Sequence, residues 1–308
     1  RNLVAAGAFQ FPFAGLFDDS DTAVGVPGNN EEVLNGLKSS TENALNRGIS
    51  RLDVELPAAF LLGVEGDKKG VRLLSDKLAE SDQAKVDTAD REVARTFVEM
   101  LQPIAQGLCV IFRNQRLADK AQEVWKLADE EGSILAFPRK PKGAFSEEVM
   151  EGEKFNEMIA GAGCQCLVVV APRLRQLRLI KGLGDVMEDQ MGIILLNARI
   201  SGKGREAEKI PQKFRKALLA NYEATYHLRF VERKNALIFG KMGKDGKRRW
   251  ALAQQREVLG GRTMTDEVKQ MDEEPSPGEV RKALAEYDAR EKDLGSALID
   301  IVDKDKMR

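Results

Sequence analysis

Apolar and polar residues along this chain change period several times, and each change marks an element. Val33, Leu37, Ala44 and Leu45 recur at helical spacing over residues 30–47, Asn29 or Asn30 can cap that helix, and Gly48 stops it. Leu52, Val54 and Leu56 then alternate with Asp53 and Glu55, which predicts a strand that Pro57 ends. Leu73, Leu74 and Leu78 suggest a turn or two of helix. A charged stretch over residues 82–91 leads into a stronger helix carrying Val93, Ala94, Phe97, Met100 and Leu101. Apolar runs predict strands at residues 108–112, 133–137, 166–170 and 192–196. Helices are expected over residues 117–127 and over residues 146–160, the second capped by Ser146. Pro172 is expected at the first helical position of the next helix, with Leu174, Leu177, Ile180 and Val186 on its buried side. Pro211 opens another, with Phe214, Leu218 and Leu219.

From Ala224 onward the rhythm changes. Residues 224–231, 235–241 and 249–254 read as strands with no room for a crossover helix between them, so this part is expected to be antiparallel. Pro275 and Pro277 separate it from a last helix over residues 278–290, where Ser276 and Glu279 have the spacing of a capping box. Its apolar face is Val280, Ala283, Leu284 and Tyr287, and residues 294–302 read as a short docking helix. The fold class expected is α/β: a mainly parallel, Rossmann-like sheet flanked by helices, with antiparallel strands added in the C-terminal third. Residues 1–30, with Phe9, Phe11, Phe13 and Phe17, are expected to form an extended arm. Residues 31–274 form a single α/β domain, and residues 275–308 a helical segment packing on it.

Composition narrows the functions open to such a fold. Over 308 residues, 48 Lys and Arg stand against 49 Asp and Glu, which excludes a nucleic-acid binder working by bulk charge but not a local basic patch. No apolar run approaches the roughly 20 residues that cross a bilayer. Three cysteines cannot make a disulfide scaffold. Cys109 and Cys166 sit in strand-like runs and read as core, and Cys164 with Cys166 lacks zinc-knuckle spacing. The single histidine, His227, cannot anchor a multi-histidine metal site and would have to serve every nucleophilic scheme, so no catalytic set and no metal site are assembled.

Candidate chemistry concentrates where the strands end, because open parallel sheets hold ligands beyond their carboxyl edge. The second strand leaves into Arg113 and Asn114, the fourth into Arg173, and the fifth into residues 197–205 with Asn197, Arg199, Lys203 and Arg205. Gly202 and Gly204 let that last segment turn its N–H groups toward one point, beside side chains suited to phosphate, sulfate or carboxylate. It has neither the Walker A order nor a full GxGxxG, since Ala207 stands at the last glycine position. A solvated basic loop, an anion site and a protein-docking patch all fit it. Glu55, sharing a strand face with Asp53, and Trp250, after a basic run, are secondary candidates; a polar strand face and a packed indole are the plainer accounts.

Several segments also resemble a known family. They are Ala44-Leu45-Asn46-Arg47-Gly48-Ile49-Ser50-Arg51-Leu52-Asp53-Val54-Glu55-Leu56-Pro57, Cys109-Val110-Ile111-Phe112-Arg113, Val168-Val169-Val170-Ala171-Pro172, Ile194-Leu195-Leu196-Asn197-Ala198-Arg199, Tyr222-Glu223-Ala224-Thr225-Tyr226-His227-Leu228-Arg229 and Arg249-Trp250. In this order, over roughly residues 30–285, they resemble the DUF1995 family of plants, algae and cyanobacteria, which includes the low photosystem II accumulation 3-like chloroplast proteins. The chain departs from the family in its charged loop over residues 241–249, where members often carry a longer aromatic, Pro-rich stretch. The resemblance implies a plastid protein, in the stroma or at the stromal face of the thylakoid. It implies a non-enzymatic assembly or interaction factor in the biogenesis or stabilisation of a photosynthetic complex such as photosystem II. Its partner would be a protein, such as a photosystem component, met by peripheral association without a transmembrane segment. Two other functions stay open: an enzyme or binding domain for a phosphorylated small molecule at the basic edge, and a structural subunit of a larger plastid complex. No cofactor is expected; a phosphorylated ligand belongs to the first of these alternatives.

Overall fold

Apolar runs bounded by turn residues do form the strands of one sheet. The computed structural model describes residues 25–57, 83–101, 107–125, 132–139, 147–187, 190–200, 210–231, 235–258 and 262–306. In chain order the elements are α1 (Asn30–Asn46), β1 (Arg51–Glu55), α2 (Gln83–Met100), β2 (Leu108–Phe112), α3 (Gln115–Trp125), β3 (Ser133–Ala136), α4 (Glu147–Gly161) and β4 (Cys166–Val170). There follow α5 (Leu174–Met187), β5 (Gly192–Leu196), α6 (Gln212–Asn221), β6 (Glu223–Val231), β7 (Ala236–Met242), β8 (Arg248–Val258), β9 (Arg262–Met271) and α7 (Pro277–Lys306). The expected arm, the leucines 73, 74 and 78 and the Ser146 cap lie outside the described residues.

Among the described residues, nine strands make a single sheet in the order β3-β2-β4-β5-β1-β6-β7-β8-β9. Every pairing from β3 across to β6 is parallel, and those joining β6, β7, β8 and β9 are antiparallel. The late hairpins therefore extend the sheet, and β6 still belongs to its parallel part. The chain moves from β1 to β2 to β3 toward one edge, then from β3 through β4 and β5 to β6 toward the other. Right-handed crossovers put the helices of these two journeys on opposite faces. Accordingly α1, α2 and α3 pack on one face, against Leu52, Val54, Val110, Val168 and Ile194. Helices α4, α5 and α6 pack on the other, against Ile111, Leu167, Val169, Ile193 and Leu195. Helix α7 covers the same face farther along, with Val280, Ala283 and Leu284 on Ala236 and Leu252.

Local signals explain most element ends. The Asn29 side chain accepts from the Glu32 N–H at 2.9 Å and caps α1, and Gly48, at φ 74°, turns the chain into β1. Ser276 and Glu279 form the expected capping box of α7, at 3.3 and 2.8 Å. Four details differ from the sequence pattern. The charged stretch before Val93 is itself helical and forms the first half of α2. Pro172 stands before α5, whose start is tied back by the Gln176 side chain: the Arg173 N–H donates to Gln176 Oε1 at 2.7 Å. The two C-terminal helical pieces are one helix of 30 residues. The pattern also gave no sign of β9, an edge strand whose polar residues do not alternate cleanly with apolar ones.

Gly240 on β7 lies opposite Trp250 on β8, and the indole occupies the space a side chain would need. A Cβ at Gly240 would stand 2.5 Å from the indole ring. Gly240→Ala is expected to cost about 1–3 kcal/mol by overpacking, read as a lower midpoint in urea unfolding.

Candidate functional site at the carboxyl edge

The two sets of crossovers part between β2 and β4, because the chain leaves β2 toward β3 but leaves β4 toward β5. The carboxyl ends flanking such a point are the usual ligand position of an open α/β sheet. Arg113, Asn114, Arg173, Asn197 and Arg199 all stand on this edge, directly after β2, β4 and β5. Lys203 and Arg205 lie outside the described residues.

The edge is held by unusual backbone. Ala171, Asn197 and Arg199 have φ values of 43°, 53° and 52°. This left-handed region costs a residue with a Cβ about 1–2 kcal/mol, so surrounding contacts must impose it. The Ala171 N–H donates to Leu196 O and the Asn197 N–H to Val54 O, each at 2.8 Å, so both residues continue the ladder as they turn. The Asn197 side chain then joins three elements. Its Oδ1 accepts from the Leu56 N–H beyond β1 at 2.7 Å, and its Nδ2 donates to Asp90 Oδ1 of α2 at 2.7 Å.

Helix α2 brings acids onto the basic edge. Arg113 donates to Asp87, and Arg116 stands 3.7 Å from the other oxygen of that carboxylate. Arg199 Nη2 lies 3.7 Å from Asp90 Oδ1. Among the described residues, that nitrogen and Asp90 Oδ2 are buried with no hydrogen-bond partner. Burial raises the Asp90 carboxyl above its ordinary range, with Arg199 and then Asn197 drawing it partly back. Asn114 caps α3, its Oδ1 accepting from the Leu117 N–H at 3.1 Å. Gln176 Nε2 donates to Arg113 O at 2.8 Å and ties α5 to the end of β2. A cavity of about 10 Å³ remains between Asp87, Asp90, Arg113 and Ala171, enough for roughly one water. Outside it, between α2 and α3, runs an open groove of about 580 Å³ whose wall alternates acids with Arg91, Arg116, Lys120 and Arg139. Arg116 and Arg173 are exposed.

Asp87, Asp90 and Gln176 were not singled out in the sequence. The signal for Asp90 was present: it falls three and four residues before Val93 and Ala94 and four after Val86, on the apolar stripe of α2. An acid in that stripe needs a buried partner.

The secondary candidates Glu55 and Trp250 come together on the opposite face of the sheet, around His227. Asp53 and Glu55 do form a polar strand face, and it is buried, because β1 is central and covered on both sides. A register shift beside Thr225 lets β6 set His227 against Glu55. His227 Nε2 stands 3.1 Å from Asp53 Oδ2, and Arg229 Nη2 meets His227 Nδ1 at 2.9 Å. Arginine can only donate, so Nδ1 accepts and the ring proton sits on Nε2, facing Asp53. Arg229 also reaches Glu55 at 3.4 Å and Glu274 at 2.5 Å, with its guanidinium 5.7 Å from the centre of the Trp250 ring. Burial opposes the Arg229 charge, but Glu55 and then Glu274 outweigh it, and its pKa is raised. The one basic nitrogen of His227 is thus committed to Arg229, which makes this network a brace between β1, β6 and β8 and leaves His227 no free lone pair for proton abstraction.

Among the described residues, no helix is long and apolar enough to cross a membrane, and no group of three or more metal-ligating side chains forms.

The raised Asp90 carboxyl gives a test. The folded state holds that proton to higher pH than the unfolded chain, which releases it near 3.8. Stability from this group is therefore greatest below that value and falls as pH rises through the native pKa. Asp90→Asn removes the titration and keeps an acceptor for Asn197. Its stability relative to wild type is expected to increase from about pH 4 to about pH 7, measured by urea unfolding at each pH.

No curated protein matches the chain. The sequence pattern of one family, "Domain of unknown function (DUF1995)", matches residues 27–282, which takes in every strand, the carboxyl edge and the His227 network. With most of its length inside that match, this chain belongs to the DUF1995 family.

Proposed function

We propose that this chain is a binding factor of plastids rather than a catalyst, acting in the stroma or on the stromal face of the thylakoid. It would assist the biogenesis or stabilisation of a photosynthetic complex such as photosystem II, in the manner of the low photosystem II accumulation 3-like branch. The observation that carries the binding role is the switch-point crevice, filled by the protein's own Asp87–Arg113 and Asp90–Asn197 contacts down to about 10 Å³. A drug-sized or cofactor-sized ligand needs some tens of times that volume, about 300 Å³ or more, which only the open, charge-walled groove outside the crevice reaches. A partner instead meets the outside of the edge, where Asn114, Arg116 and Arg173 are exposed and Arg116 lines the open groove. The plastid setting rests on the family resemblance.

Gentle isolation of the chain from its own cells, followed by native mass spectrometry, tests this. A photosystem protein bound at fixed stoichiometry supports it. A co-purifying phosphorylated compound would replace it with small-molecule binding at the edge, and permanent presence in the mature complex would make the chain a structural subunit. In the same assay, Arg116→Glu combined with Arg173→Glu is expected to weaken partner binding about tenfold or more, or about 1.4 kcal/mol. Melting of the variant should shift little, because both side chains are at the surface.

A further inference from the structure

The charged loop over residues 241–249 takes no part in the carboxyl edge. It is the hairpin joining β7 to β8, and it stands at the other end of the sheet. Lys241 pairs with Tyr226 near the amino end of β6, β6 starts level with Leu52 of β1, and the turn lies beyond Lys241. The Gly243 N–H donates to Lys247 O at 3.0 Å, the Gly246 N–H to Gly243 O at 2.9 Å, and the Lys247 N–H to Asp245 Oδ1 at 3.0 Å. Gly246, at φ 73°, leaves room for Arg47, the C-cap of α1: a Cβ there would overlap the guanidinium. Six cations therefore gather at one tip, Arg47 with Lys241, Lys244, Lys247, Arg248 and Arg249. Two acids stand among them and both are engaged. Asp245 Oδ2 accepts from Arg249 at 2.6 Å, and Glu223 meets Arg248 at 2.8 Å. Asp272 and Glu273, which follow the Met271 partner of Trp250, bound the patch on the β9 side. Lys241 lies directly opposite Arg249 in the β7–β8 ladder, a placing of like charges that costs stability. Arg47, Lys244, Lys247 and Arg248 are exposed. The chain has a formal net charge of -1, so this excess belongs to the tip and not to the whole molecule.

We propose that this hairpin tip docks on the anionic headgroups of a lipid bilayer and holds the chain peripherally against a membrane. A lipid surface is flat and needs only cations that reach it, each giving roughly a fivefold gain in affinity. Lysine, a compact charge on a flexible stem, suits headgroups that diffuse beneath it. The tip offers these charges without a concave wall, since the crevice and the groove described above lie at the opposite edge. An acidic peptide would need such a wall to fix its side chains. A nucleic-acid strand would need rings to stack on. Tyr222, next to Glu223, and Trp250, next to Arg249, are 6% and 3% exposed. The lipid-facing tip and the rim of Arg116 and Arg173 stand at opposite ends of the sheet, so a chain seated on lipid keeps that rim clear for a protein. Only the membrane setting rests on the proposed function; the lipid contact rests on the charge of the tip.

Sedimentation of the folded full-length chain with vesicles tests this, with no protein partner present. The probes are phosphatidylcholine vesicles and vesicles in which roughly a third of the lipid is phosphatidylglycerol. Binding is expected only to the second, at about 0.1 M salt. It should be lost at about 1 M salt, where the screening length falls from about 10 Å to about 3 Å. Lys244→Gln combined with Lys247→Gln is expected to weaken binding about thirtyfold, and Lys247→Gln alone about fivefold. Both side chains are exposed, so the urea midpoints of these variants should match wild type. The charge-matched pair Lys213→Gln and Lys216→Gln, exposed on α6, should bind as wild type does. Equal binding to both kinds of vesicle, binding that survives high salt, or an equal loss in the α6 variant would each overturn the proposal. So would failure to bind anionic vesicles, and a tip that then held single-stranded RNA would be reassigned to nucleic acid. Failure here leaves partner capture at the carboxyl edge standing, and loss of partner capture leaves vesicle binding standing.

Discussion

Asp53 and Glu55 sit on the central strand of a sheet covered on both faces, and the protein must neutralise them where water cannot. An unpaired buried carboxylate costs several kcal/mol. Arg229 meets Glu55 from β6, and His227 sets its Nε2 beside the Asp53 carbonyl and carboxylate, which requires β6 to lie directly beside β1, in parallel, with the register shift at Thr225. Once β6 is placed, the hairpins that follow can only extend the sheet outward. Trp250 and Glu274, which complete the Arg229 environment, come from that extension. The junction between the parallel and antiparallel halves is thus polar on this face, with Arg229 set among Glu55, Glu274 and the His227–Asp53 pair, while Val54, Tyr226, Leu228 and Phe239 make its other face apolar.

The carboxyl edge follows a related logic with a different result. Backbone held in the left-handed region at Ala171, Asn197 and Arg199 is expensive, and in many α/β proteins such turns aim groups at a ligand. Here the turns aim Asn197 and Arg199 at Asp90, and Arg113 at Asp87, so helix α2 supplies the anions itself. The strain is spent on fastening α2 to β1 and β5. What is left for the outside world is the exposed rim, where Arg116 and Arg173 stand clear of the ion pairs that hold the interior together or touch them only at their margin.

Much of this was legible in the sequence because each parallel strand is a short apolar run bounded by turn residues, and each helix has a clean stripe. Even the edge strand β3, four half-exposed residues, announced itself through Ile134 and Leu135. Strand β9 did not, since its pairing with β8 is made by backbone and its side chains are mostly polar. The positions of Arg113, Asn197 and Arg199 at the edge followed from the strand ends. Their partners did not, because Asp87 and Asp90 reach them through a crossover that no local pattern encodes. The polar face of Asp53 and Glu55 was legible but its burial was not, for the same reason: alternation reports what a strand carries, while the order of strands decides whether water reaches it.

The central position of β1 also sets a timetable. Leu56 meets its Asn197 partner across 141 residues of chain, and the first parallel neighbour of β1 is β5. At 5–20 residues per second, a ribosome needs on the order of 10–30 s to make the intervening segment. During that interval β1 has neither neighbour, and β2, β3 and β4 can assemble into a sheet fragment with an open side. The place of β1 between β5 and β6 exists only after both have emerged, so β1, made before β2, is seated in the middle of the sheet late. A cell making this protein has to keep an early, half-charged strand from pairing with anything else until its place exists.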